Sequence, residues 1–238
     1  MGPTLTAAER QSALPRATFL GPAACGDVAR AARGRPAAIA VIDGYFHQRL
    51  AIWHKEILWA ISQGSLVYGA ASMGALRAAE LADFGMIGVG QVFEWFRGGE
   101  LEDDDEVAVV HDTAERGYLP RSDAMVNIRA TMARAVESGV VSPATSGALI
   151  EAAKSIFFAQ RSFAAMLDLF EARRGGLPEL RALARWLQEP ANRVDQKRCD
   201  ALALLQRIDQ DLAVTGSLAP PSFDFQYTEA WHELLRRL

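Results

Sequence analysis

Residues 37–83 alternate short apolar runs with helix-period patterns, and this alternation constrains the fold more than any other feature of the chain. Ala37 to Ile42 and Leu66 to Gly69 are apolar runs bracketed by Gly and Pro, the pattern of buried strands, and Thr18 to Gly21 reads the same way. Between the runs Ala37 to Ile42 and Leu66 to Gly69, Leu50, Trp53, His54, Ile57, Leu58 and Ile61 recur at helical spacing, and Gly64 is placed to close that helix after Gln63. After Ser72, the positions Leu76, Ala79, Glu80 and Ala82 continue as a second helix. A β-α-β-α run of this length implies parallel strands, because a parallel pair needs a crossover connection. The expectation is an α/β fold, with a parallel-sheet amino-terminal core followed by a mainly helical carboxyl-terminal region.

The chain changes character near Gly117, so residues 1–116 are expected to form the α/β core and residues 117–238 a helical region packed on it and available for docking a partner. Ser122 is a candidate cap for a helix carrying Met125, Ile128, Met132 and Val136, with Gly139 as its stop. Ser142 and Pro143 read as a cap and first-turn proline of a helix running through Phe158. Further helical patterns cover Pro178 to Gln188, Val194 to Val214 and Thr228 to Leu238, with Gly216 to Pro221 as a linker or long turn. His47 and His232 complete, with His54 and His111, the four histidines of the chain.

The 238 residues, half of them hydrophobic, suffice for one sizeable core or two modest ones. A net charge of −4 and the lack of a basic stripe argue against nucleic-acid binding. Cys25 and Cys199 lie far apart and outside any CxxC spacing, which points to neither a disulfide framework nor a cysteine-rich zinc site. The first fifteen residues lack the apolar run of a signal peptide, and no later stretch is apolar enough to span a bilayer, so a cytoplasmic protein without membrane contact is expected.

The most chemical-looking segment is Gly69 to Arg77, where an apolar strand delivers the chain into very small residues, then Ser72, then a helix. This is the environment of a nucleophile elbow, with the Met73 N–H at the helix start as an oxyanion donor. Ala70 stands where the G-x-S-x-G pattern has its first glycine. The same residues are equally those of a capped helix packed tightly on a sheet, or of a turn that binds an anion without chemistry.

A serine nucleophile needs a base, for which His54, His111 and Lys55 are candidates. His54 lies on or beside the apolar face of the helix preceding the Ser72 strand, and His111 ends the apolar run Val107 to Val110, where a strand would deliver it to the ligand-binding sheet edge. Lys55 would qualify if burial lowered its pKa. Each is also an ordinary structural side chain. Asp43, at the end of the Ala37 to Ile42 run, is placed as a polar ligand, an orienting acid or a turn aspartate. The acids Glu102 to Glu106 point in different directions, which favours a solvated turn carrying one functional acid over a metal site. No cofactor and no metal are expected.

The phrases Val41 to Phe46 (VIDGYF), Trp53 to Ile57 (WHKEI), Tyr68 to Leu81 (YGAASMGALRAAEL), Gly85 to Gly90 (GMIGVG) and Asp104 to His111 (DDEVAVVH) resemble, in order, the core motifs of the TfuA family. Phe19 to Pro22 and Val126 to Arg129 are also similar, and nothing beyond about residue 165 can be matched. The resemblance implies a partner of YcaO-type enzymes, which use ATP to activate backbone amides of a ribosomally made precursor peptide. In the thioamide branch it implies sulfide supply from the thiocarboxylate of a ThiS-like carrier. In that setting Ser72 would attack the thiocarboxylate, Met73 and Gly44 would hold the oxyanion, and Arg77 would clamp the carrier's carboxyl terminus or pair structurally with Glu80 or an acid of the 102–106 cluster. The alternatives are a non-catalytic adaptor that brings precursor peptide or carrier to the YcaO enzyme, and an unrelated esterase or peptidase.

Overall fold

The computed structural model describes residues 2–46, 49–214 and 223–238, so His47 and the whole of the expected 216–221 linker lie outside the described residues. The chain divides into two compact units: residues 1–102 with 197–238, and residues 103–196.

The first unit is built on three parallel strands in the order β1 (Ala38–Val41), β2 (Leu66–Ala70), β3 (Ile87–Val89). The register pairs Ala38 with Leu66 and Val41 with Gly69, then Tyr68 with Ile87 and Ala70 with Val89. The crossovers are α3 (His54–Ser62) and α4 (Met73–Leu81), which gives the expected α/β fold with its β-α-β-α run. Helix α3 starts later than the apolar spacing suggested. Leu50, at 71% exposed, precedes it, and the buried face is set by Ile57, Trp59, Ala60 and Ile61. The apolar pattern does not reveal β3, a strand of only three half-buried residues.

Two expected strands are absent. Thr18 to Gly21 forms no ladder. Leu20 is exposed, Pro22 has no N–H to donate, and the chain pairs just beyond β1, at the isolated Ala23–Gly44 bridge. The run Val107 to Val110 turns back on its own neighbourhood: the Arg121 N–H donates to the Val110 carbonyl, the Val110 N–H to Ser122 Oγ, and His111 bridges Pro120. Ser122 is therefore occupied with Val110, and Ala124 stands at the start of α6.

One face of the sheet packs on α2 (Asp27–Ala32), α3 and the carboxyl-terminal α11 (Glu229–Arg237). Trp231 of α11 is fully buried, 5.5 Å from the Trp59 ring and 5.4 Å from Phe225. The other face packs on α10 (Gln196–Ala213) through Ala201, Leu204, Leu205 and Ile208. Buried Tyr68 of β2 donates to Asp211 of α10 at 2.8 Å. The helices beyond residue 117 are thus divided: α10 and α11 belong to the sheet's own core.

The second unit is helical, with α6 (Met125–Glu137), α7 (Pro143–Lys154), α8 (Phe163–Arg174) and α9 (Pro178–Trp186) around Met125, Ile128, Met132, Leu149, Met166 and Leu183. Helix α7 begins as expected, with Ser142 capping the Thr145 N–H and Pro143 in the first turn, but it ends at Lys154. The buried Arg161 guanidinium takes the Ala153 and Ile156 carbonyls released there.

Because α11 contributes a core tryptophan, Trp231→Ala should cost about 3–5 kcal/mol in urea denaturation, whereas Leu50→Ala should change stability by less than about 0.5 kcal/mol. A small loss at Trp231 would show that α11 is not part of the core.

Candidate functional site

The best-built feature is the turn from β2 into α4. The Ser72 N–H reaches back to the Ala70 carbonyl at 2.8 Å, closing a three-residue turn around Ala71, whose φ is +68°. A left-handed non-glycine residue costs about 1–3 kcal/mol and persists only where its surroundings impose it. Here the strain sits one residue before the serine, which has φ −129° and ψ −126°. Helix α4 starts at Met73; the Gly74 N–H donates to the Ile42 carbonyl at 3.1 Å, and the Ala75 and Leu76 N–H groups to the Ser72 carbonyl. Ser72 is 3% exposed and Met73 1%.

Asp43 and Gly44 lie beside this turn, because a Cβ on Gly44 would stand 2.7 Å from Met73 Cγ. The Asp43 carboxylate, 4% exposed, is filled from the start of the chain. Its Oδ2 accepts the Gly2 N–H at 3.0 Å and the Thr4 N–H at 3.3 Å, and its Oδ1 accepts the Thr4 hydroxyl at 2.6 Å. It anchors residues 2–4 rather than orienting an imidazole.

His54 opens α3 and its Nε2 lies 2.8 Å from Glu80 Oε2, which also accepts from Arg77 Nη1 at 2.5 Å. Arg77 Nε donates to the Ile52 carbonyl at 3.2 Å. Burial acts to raise the Glu80 carboxyl, but the hydrogen bonds from His54 and Arg77 outweigh it and hold the group below its ordinary value. Glu80 stands eight residues beyond Ser72, about 12 Å along the helix axis, so His54 is held two turns away from the serine. Lys55 points elsewhere again, to Thr228 Oγ1 at 3.2 Å and over the Phe225 ring. The structure brings together Ser72, Met73, Asp43 and Gly44 in one place and His54, Arg77 and Glu80 in another.

Glu56 was not singled out by its sequence position, yet it is the most buried carboxylate of the first unit. It accepts the N–H groups of Gly26, Ala29 and Trp53, which fixes the start of α2 against α3. Burial pushes its carboxyl up, and burial together with Glu56 pushes the neighbouring Cys25 thiol to about 11, which makes it a poor nucleophile.

His111 belongs to the second unit, where its Nδ1 lies 2.8 Å from the Asp112 carbonyl and its ring meets Tyr118 edge-on. The acids beside it form an ion network in place of a solvated turn. Arg129 grips Glu106 with two bonds of 2.8 and 2.9 Å, and Arg161, 1% exposed, holds the Asp105 carboxylate at 2.6 Å and its carbonyl at 2.9 Å. Lys154 meets Asp103 at 3.0 Å, Glu106 at 2.9 Å and Asp105 more closely still. Among the described residues no group of acids, histidines and cysteines could hold a metal ion.

The family model for TfuA-like protein matches residues 43–162, half of the chain, taking in the Ser72 turn, the His54 cluster and the ion network. The chain belongs to the TfuA-like family. Comparison with curated proteins gives no significant match. No helix of the described residues is long and apolar enough to cross a membrane.

The ion network makes the second unit acid-sensitive. Burial acts to raise the Asp105 carboxyl, but its bonds to Lys154 and Arg161 outweigh this and leave it depressed. A depressed folded pKa contributes stability above the ordinary carboxylate range, and that contribution is lost as pH falls through the folded value. The urea midpoint should therefore hold from pH 7 to about 5 and drop below about pH 4, and Asp105→Asn should lower it at pH 7 and flatten the acid limb. An unaltered acid limb in Asp105→Asn would contradict this assignment.

Proposed function

We propose that this TfuA-like protein serves a YcaO-type enzyme of ribosomal-peptide modification by hydrolysing the thiocarboxylate of a ThiS-like carrier, so that sulfide becomes available for thioamide formation in the precursor peptide. The observation that supports this most is the strained turn at Ala71, which sets Ser72 at the head of α4, at the carboxyl ends of the parallel strands. Ligands of open α/β sheets bind at that end, and the positive end of α4 favours the anionic thiocarboxylate and its tetrahedral adduct.

In the first step Ser72 Oγ bonds to the thiocarboxylate carbon, the carbon–sulfur bond breaks, and the hydroxyl proton leaves with the sulfur as hydrosulfide. The departing sulfur itself takes up the proton, so this step needs no imidazole in contact with Ser72. In the second step water adds to the Ser72 ester, the carbon–Oγ bond breaks, and the carrier leaves as a carboxylate with one proton released. The Met73 N–H is the oxyanion donor in both steps, with Gly44, against which Met73 packs closely, as the second donor. His54 or Lys55, once released from Glu80 or Thr228, activates that water; Arg77, bonded to Glu80 and Ile52, holds the His54 cluster together in the resting chain.

A second reading, a non-catalytic adaptor that recruits carrier or precursor peptide to the YcaO enzyme, is favoured by the 3% exposure of Ser72 and by the engagement of His54 and Lys55 away from it. Sulfide release from a thiocarboxylated carrier separates the two. Ser72→Ala, folded by circular dichroism, should release sulfide about a hundred-fold or more slowly than the unsubstituted chain. His54→Ala should stay within a few-fold in the first step, since its ring rests on Glu80. Absence of release from the unsubstituted chain, with a YcaO enzyme present, would overturn the hydrolase reading and leave the adaptor.

A further inference from the structure

The start of the chain lies on the same ground as the Ser72 turn. Gly2 and Thr4 fill the Asp43 carboxylate with three donors, and Leu5, 3% exposed, is buried in the same apolar cluster as Ile42, Ala70 and Ala71. Asp43 follows Ile42, whose carbonyl holds the first turn of α4, so these contacts cover the strand ends next to Ser72. Beyond this hook the chain is held by shallower contacts. Helix α1 (Ala7–Ala13) has no fully buried residue; Ala13 and the following Leu14 are partly buried against the same apolar cluster, Arg10 lies over the Phe19 ring, and Glu9 pairs with Arg198 at 2.5 Å. An exposed pair of this kind contributes little, and segments with few buried contacts open at low cost. Residues 2–5 therefore act as the deeply seated hook of an arm whose remainder is held by partly exposed contacts.

We propose that this amino-terminal arm is a displaceable cover of the Ser72 turn, latched by Thr4 on Asp43 and by Leu5 in the apolar cluster that holds Ala70 and Ala71. The inference rests on the reading that the carrier's carboxyl terminus is received at this turn: a thiocarboxylate on a protein tail reaches Ser72 only when the cover lifts. Asp43 then loses three hydrogen bonds, and its freed oxygens accept backbone N–H groups of the incoming tail in place of those of Gly2 and Thr4. Exchange of like donors keeps the buried carboxylate satisfied in both states, which an empty site would not.

Access can be measured without turnover. A Ser72→Cys chain is alkylated with iodoacetamide and read peptide by peptide, with and without the added pair Thr4→Val and Leu5→Ser; an Ala60→Cys chain, altered at a position fully buried in α3, reports opening of the whole unit. The hook substitutions should speed alkylation at position 72 by about ten-fold or more, as the loss of a charged hydrogen bond implies, and leave position 60 unchanged. An unchanged rate at position 72 overturns the cover. Should both positions speed up together, Thr4→Val alone decides by the same ratio. Since alkylation does not depend on sulfide chemistry, a failed hydrolase reading and a failed cover are told apart.

Discussion

The close approach of helix α4 to the ends of β1 and β2 is the constraint on which the first unit depends. A Cβ on Gly74 would stand 1.8 Å from the Val41 carbonyl oxygen, and one on Gly69 would stand 2.1 Å from the Gly74 carbonyl oxygen. Both neighbours are backbone and cannot swing aside, so only glycine allows the helix to sit this deep. That depth produces the Gly74 to Ile42 hydrogen bond, the tight turn at Ala71, and the position of Asp43 and Gly44 against Met73. The small residues of Gly69 to Ala75 serve the packing first. The serine and the helix start inherit a fixed position from it.

Around this frame, buried carboxylates are satisfied by backbone N–H groups at the starts of helices and segments. Glu56 does this for α2, Asp43 for residues 2–4, and Asp200 of α10 for the Val92 N–H at the start of α5 (Gln91–Arg97), at 2.7 Å. Each ties a local backbone end to a residue distant in sequence, which is how a three-stranded sheet holds so many short helices. In the second unit the same need is met by cations: Arg129, Lys154 and Arg161 gather Asp103, Asp105 and Glu106. Removing one partner of such a network leaves charge buried without compensation, which makes these positions structural before they are chemical.

Much of the fold was legible because its signals are local. The strands Ala38–Val41 and Leu66–Ala70, the two crossovers and the Ser142-Pro143 helix start all rest on apolar period and cap residues within a few positions of each other. The misread strands, Thr18 to Gly21 and Val107 to Val110, are short apolar runs whose fate is decided by tertiary contacts: the first forms no ladder and the chain pairs with Asp43 only beyond it, at Ala23, and the second bonds to Arg121 and Ser122. For the same reason the Ser72 turn was legible and the partners of its candidate base were not. No spacing rule announces that His54 lies on Glu80, that Asp43 holds Thr4, or that Lys154 and Arg161 close on acids some fifty residues earlier.

The central claim, that Ser72 carries the carrier's acyl group, is tested most directly by rapid-quench mass spectrometry of the chain mixed with one equivalent of thiocarboxylated carrier. The account predicts a transient covalent adduct, equal in mass to chain plus carrier less hydrogen sulfide, with the ester on the peptide containing Ser72. Sulfide release with no adduct at any quench time, or with the acyl group on another residue, would contradict it.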